Sequence, residues 1–334
     1  MRDFYWDNTW FFGANFIPSN AINQLEMWQE DTFSLDVIER ELGYAKSIGM
    51  NIMRVFLHDL LWEQDSEGLL SRMDAYLSVA DKHGIKTMFV FFDDCWGNEF
   101  SLGKQPDPVE FSHNSGWVKS PGTVAADDLS QRPRLERYVK GVLKHFANDR
   151  RIAVWDLYNE PGNGESGNHI TNTGLRESES LPLLLDVFKW ASEIAPSQPY
   201  TAGVWRDNEP FNEINEAILK YSDIVTFHVY GNKMSTADIY LKMKEKANSR
   251  PIICTEYMAR HYGSTFEEVL PFLKENNIGA INWGLVSGKT QTIYPWVSYD
   301  KEDRLAMPFH DIFEKDGRFL VPEEEQVFNK YTIK

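Results

Sequence analysis

The sequence predicts one (β/α)8 barrel spanning residues 1–334. Three observations carry that prediction. Short apolar runs alternate with segments of helical period eight times over, the order expected of a parallel sheet with right-handed crossovers. The runs are nearly continuous in apolar residues, as strands covered on both faces are. The length, 334 residues, suits a barrel of about 250 residues with insertions.

Phe11–Phe16 reads as the first strand, and Leu35, Ile38, Leu42, Ala45 and Ile48 then share a helical face that Gly49 ends. Asn51–Leu57 is the second strand, followed by a helix with Met73, Leu77 and Ala80 aligned and Gly84 beyond it. Thr87–Phe92 is a fully apolar third strand. The rhythm then breaks from Asp93 to about Gln131, a stretch rich in Gly, Pro, Ser and Asn. Structureless segments of that size usually serve function, so a lid or subsite-forming loop is expected there.

The alternation resumes with Leu135, Tyr138, Val139, Val142, Leu143 and Phe146 on one helix face, then Ile152–Leu157 as the fourth strand. Leu184, Val187, Ala191 and Ile194 mark the next helix, closed by Pro196. Tyr200–Trp205 is the fifth strand, Ile214, Ile218 and Tyr221 a short helix, and Ile224–Tyr230 the sixth strand. A helix over Thr236–Ala247, a seventh strand over Pro251–Thr255 and a helix carrying Phe266, Val269, Leu270 and Leu273 follow. Ala280–Leu285 is the eighth strand, with Phe309–Phe313 expected as the closing helix.

Composition limits the partners. Lys and Arg number 34 against 50 Asp and Glu, a formal charge of −16. That balance repels nucleic acid and anionic membrane surfaces, so neither is expected as a partner. Cys95 and Cys254 form no disulfide framework and no metal spacing, and small buried thiols are expected at both. Met1–Trp6 lacks the apolar run of a signal peptide, and no stretch nears the roughly 20 apolar residues that span a membrane. A cytoplasmic protein is expected if the chain is complete, a secreted or periplasmic one if a leader has been removed. No oligomeric state is assigned.

Chemistry in such a barrel sits at the C-terminal ends of the strands. Those ends carry Arg54, Asp93 and Asp94, Asn159 and Glu160, His228 and Tyr230, Glu256, and Trp283. Two carboxylates on two strand ends match the needs of glycosidic cleavage. One gives a proton to the leaving oxygen, and the other attacks or stabilises the sugar carbon. The chain is 14% aromatic with 11 Trp, and Trp62, Trp96, Trp117, Trp205 and Trp296 fall in expected loops or strand ends, where rings can stack on sugars. His113–Trp117 is placed to close one end of a cleft.

Asn159-Glu160-Pro161, His228-x-Tyr230, Glu256, Trp283 and Arg54, in this order on successive strands, resemble the clan A glycoside hydrolases, closest to the cellulase-like family five. The resemblance covers essentially the whole barrel. It implies a retaining β-glycosidase acting on a β-linked oligo- or polysaccharide without cofactor or metal, with Glu160 as general acid/base and Glu256 as nucleophile. Asn159 would then hydrogen-bond the sugar 2-hydroxyl. Arg54 would keep Glu256 ionised and Tyr230 would fix its direction, while the charge on Glu256 and partial burial would raise Glu160. His228 would hold the acid side, and Trp283 would floor the sugar.

Family five members often carry a His at the end of strand three, where this chain has Asp93-Asp94-Cys95-Trp96. Asp94 is the expected replacement, and His58–Trp62 a further candidate contact. For both, the alternative is loop capping by Asp. Two rival classes remain. A metal-dependent barrel hydrolase would use His58, Asp59, Asp93, Asp94 and His228, but the first strand lacks the usual His-x-His. A non-catalytic carbohydrate-binding barrel would have lost a carboxylate, and both are present.

Overall fold

The eight apolar runs become the strands of a parallel barrel in the computed structural model, which describes residues 4, 6, 9–164, 177–296 and 307–333. The strands are β1 Phe12–Asn15, β2 Ile52–Phe56, β3 Lys86–Asp93 and β4 Ile152–Asn159. They continue with β5, two short runs Tyr200–Thr201 and Gly203–Val204, then β6 Val225–His228, β7 Ile252–Glu256 and β8 Gly279–Trp283. Each pairs in parallel with its sequence neighbours, and β1 joins β8. The broken fifth strand closes the ring: Tyr200–Thr201 pairs with β4, and Gly203–Val204 pairs with β6.

Helices α1 Leu35–Ser47, α2 Asp59–Lys82, α3 Arg132–His145, α4 Leu181–Ile194, α5 Asn212–Tyr221, α6 Lys233–Ala247, α7 Phe266–Glu275 and α8 Glu324–Tyr331 cover the outside. Their buried residues are those that the 3.6-residue period aligned, such as Leu135, Tyr138, Val139, Val142 and Leu143 on α3. Among the described residues no helix is long and apolar enough to cross a membrane.

Three expectations need correction. Phe309–Phe313 is not helical, because its backbone donors leave the segment: Phe309 N–H bonds Ile293 O, and Ile312 and Phe313 N–H both bond Leu285 O. The closing helix is α8, whose Phe328 packs on Phe266 at 4.8 Å. Trp62 is not in a loop, since α2 starts at Asp59 with His58 as its N-cap, and the ring lies against Tyr138 of α3. The Asp93–Gln131 segment contains a short helix, Thr123–Asp127, and is tied back to the barrel. Asp93 and Ser120 exchange backbone bonds of 2.7 and 3.0 Å, and Asn114 N–H bonds Thr290 O.

The barrel interior is layered. At the bottom, Ile52, Met88, Val154, Ile224, Ile253 and Ile281 form an apolar plug. Two residues further along β2 and β4, on the same inward faces, come Arg54 and Asp156, both fully buried. The polar layer begins there, and the site stands on it.

Candidate active site

Strand register brings the rim residues to one level. Asn15 on β1 lies opposite Arg54 on β2 and Trp283 on β8, Asp93 opposite Asn159, and His228 opposite Glu256. Glu160 follows β4 directly, and its backbone takes the left-handed conformation at φ 45°. A non-glycine residue seldom sits there unless the surroundings hold it.

Arg54 is the hub. Its Nε and Nη2 donate to Asp156 Oδ2 at 2.9 and 2.8 Å, and Nη2 also to Asn159 Oδ1 at 2.6 Å. Its Nη1 donates to Asn15 Oδ1 at 2.7 Å and to Glu256 Oε1 at 2.9 Å. One guanidinium thus links four strands. Its charge is shared between two buried carboxylates, so neither has a whole cation to itself.

Glu256 Oε2 accepts from Tyr230 Oη at 2.7 Å. Glu160 Oε1 lies 2.5 Å from His228 Nδ1, which is also 3.5 Å from Glu256 Oε2. Ligand atoms of Glu160, His228 and Glu256 all lie within 4.8 Å of one another. The two carboxyl groups therefore stand close together, with one imidazole beside both.

Electrostatics revise one expectation. Burial is the main cause raising Glu160, and Cys95, Asn163 and Arg54 oppose it. Glu256 is also raised, to about 7, because burial outweighs His228, Arg54 and Tyr230. Arg54 was expected to hold it low, but half of that guanidinium is spent on Asp156. Carboxyl groups this close and this buried lose their protons as a coupled pair. Burial lowers His228 to about 4, so its ring is neutral at ordinary pH.

The remaining expected residues are scattered in role. Asn159 donates through Nδ2 to Asp93 Oδ1 at 2.9 Å and to Cys95 Sγ at 3.4 Å. Trp283 makes T-shaped ring contacts with Phe56 and Trp117. Trp117 is buried, 3% exposed, and donates Nε1–H to Asp93 at 2.8 Å, so it packs against Trp283 rather than in an open loop. Trp96 is half-buried and stacks on His113 at 5.2 Å. Trp205 is half-buried with Arg206 over its ring at 4.2 Å. Trp296 meets the edge of Tyr230 at 4.8 Å. Asp94 is buried and accepts from Tyr158 Oη, Gly162 N–H and Ser180 Oγ. Asp59 accepts from Ser120 Oγ and Arg134 Nη1. Asp94 thus ties down the turn after β4 through Gly162, while Asp59 pairs with Arg134 and the helix cap beside it is His58.

Sequence reasoning passed over Asn15, Asp156, Cys95 and Asn163. Arg54 and Asp156 did leave a trace, as single opposite charges inside two otherwise apolar strands. The sequence predicts a small buried thiol at Cys95, and its Sγ donates to Glu160 Oε2 at 3.1 Å.

No protein-family model matches the sequence, and no curated protein is detectably similar to it. Solved structures are. A GH5_18 protein variant from Streptomyces cattleya, in complex with Manβ1-4GlcNAc, is 14% identical with TM-score 0.64, covering 96% of this chain and 80% of that one. A hyperthermostable endo-1,4-β-D-mannanase from Thermotoga petrophila, 14% identical, has TM-score 0.60 over 98% of this chain and 100% of that one. The endo-1,4-β-mannanase from Rhizomucor miehei, 15% identical, has TM-score 0.61 over 98% of each chain. The chain has the (β/α)8 fold of these enzymes. At such identity the likeness speaks for the fold, and the chemistry rests on the site's own geometry.

Proposed function

We propose that the protein is a retaining β-glycosidase that hydrolyses a β-linked oligo- or polysaccharide of mannan, glucan or xylan type by double displacement. The observation that carries this reading is the approach of Glu160, His228 and Glu256 to within 4.8 Å at one rim. Retaining enzymes hold their carboxyl groups about 5–5.5 Å apart, whereas inverting ones leave about 6.5–9.5 Å for an interposed water. The mannose-containing ligand of one similar structure and the mannanase names of two others favour a mannose-containing substrate.

In this reading the pair carries one proton at neutral pH. Arg54 and Tyr230 both donate to Glu256, so the charge belongs there and the proton on Glu160. Glu160 protonates the leaving oxygen while Glu256 attacks the anomeric carbon, forming a glycosyl ester. The negative charge on Glu256 is then gone, Glu160 becomes more acidic, and it takes a proton from the water that opens the ester.

The test is the anomer formed first, followed by NMR during hydrolysis of an aryl β-mannoside or β-glucoside. A β-sugar first supports the proposal. An α-sugar first sinks it. The same three side chains could take a divalent ion, but Arg54 already lies against Glu256 and His228 Nδ1 against Glu160. Hydrolysis is therefore expected to survive dialysis against a chelator, and its loss would favour the metal reading.

A further inference from the structure

Cys95 ends the sharp turn after β3, with its backbone N–H on Asp93 Oδ1 at 2.9 Å. Its sulfur accepts from Asn159 Nδ2 and Asn163 Nδ2, each at 3.4 Å. Two amides thus point at the sulfur, and the one thiol proton is left for Glu160 Oε2 at 3.1 Å. Asn163 Nδ2 also donates to Oε2, at 2.6 Å. Burial raises the Cys95 thiol well above its ordinary value, so the sulfur keeps that proton.

A carboxylate oxygen has two lone-pair sites. On Oε2 the thiol and the amide occupy both, leaving no place for a proton. Oε1 points the other way, toward His228 and the side where Glu256 stands. We propose that Cys95 is a positioning residue for Glu160: with Asn163 it holds Oε2 as a permanent acceptor, so that the transferable proton resides on Oε1, on the side of Glu256. This rests on the acid/base reading of Glu160.

The experiment uses the full chain and paired probes that differ in their need for acid assistance: phenyl and 2,4-dinitrophenyl β-mannosides, or the β-glucosides, whichever the wild type cleaves. Glu160→Ala comes first. Its kcat/KM should collapse on the phenyl glycoside and largely survive on the dinitrophenyl one. If the phenyl glycoside were cleaved at the wild-type rate, the acid assignment itself would fall, independently of Cys95. With that assignment standing, Cys95→Ala is expected to lose about tenfold more on the phenyl than on the dinitrophenyl probe, the scale of one hydrogen bond. Its alkaline limb should move to higher pH, because a carboxylate that loses a donor holds its proton more tightly. Cys95→Ser should restore both readouts, and Asn163→Ala should move the limb in the same direction. Should Cys95→Ala fail to fold, the serine and Asn163 variants carry the test. Equal losses on both probes with an unmoved limb overturn the proposal, and so does a serine variant that behaves like alanine.

Discussion

Glu160 and Glu256 are the same carboxylic side chain in two different settings. Glu256 is the last residue of a strand, just past a register shift against β6, and its two oxygens meet a guanidinium and a phenol. Glu160 sits one residue beyond a strand in a left-handed turn, and its oxygens meet a neutral imidazole, a thiol and an amide. Burial raises both. What separates them is that one touches a positive charge, shared with Asp156, and the other only neutral groups. Paired titratable groups whose surroundings push them apart are the physical basis of acid and base roles on one fold.

The largest test of that contrast is Glu256→Ala. Activity should fall by on the order of 10⁵, as loss of a covalent nucleophile does. Added azide should restore turnover and yield an α-glycosyl azide, identified by NMR. Glu160→Gln should cost less, about 10²–10⁴ in kcat on glycosides with poor leaving groups. The azide product of Glu160→Ala should be the β anomer. If the two anomers were exchanged, the roles would be exchanged too.

Arg54→Met probes the cation itself. Removing it leaves Asp156 and Glu256 buried without their partner, which costs about 3–5 kcal/mol of stability. The two carboxyls would then keep their protons in the folded state, with native values raised further above the unfolded ones. Stability from groups raised in this way is present at low pH and is lost as pH rises. The variant's deficit in urea unfolding should therefore grow from pH 5 to pH 8. A deficit that shrank over that range would mean that Arg54 was not balancing those carboxylates.

The barrel was legible because all eight strands are covered on both faces and so read as apolar runs. Where that signal thins, reading faltered. Tyr200–Trp205 is one run in sequence but two short ladders in space, because it pairs with different neighbours on its two sides. Phe309–Phe313 is apolar without being helical, since its hydrogen bonds reach the loop after β8. At the site, residues on strand ends could be found by asking where apolar runs stop. That question missed Asn15, the last residue of β1, because Phe16 and Ile17 carry the apolar run past it. It cannot reach Asp156, which matters through Arg54, nor Cys95 and Asn163, whose part depends on how two loops fold over Glu160. Tryptophan was least informative. Trp117 and Trp62 pack into protein while Trp96 and Trp296 lie nearer the rim, and composition treats all four alike.

The smallest expected effect is the sharpest. Tyr230→Phe removes the donor to Glu256 Oε2 and leaves Arg54 on Oε1. A hydrogen bond to a charged group is worth about 1.5–3 kcal/mol, and the remaining guanidinium should keep the loss in kcat/KM near the lower end, about tenfold. The direction matters more than the size. A nucleophile must be ionised, so its titration forms the acidic limb of the pH profile. Losing a donor destabilises the carboxylate and raises its pKa, so the acidic limb should move to higher pH while the alkaline limb stays nearly fixed. Loss of the thiol from Cys95 should do the reverse, moving the alkaline limb and sparing the acidic one. A Tyr230→Phe profile that moved at the alkaline side would mean that the carboxyl beside Arg54 carries the catalytic proton, and the assignment of the two residues would have to be turned around.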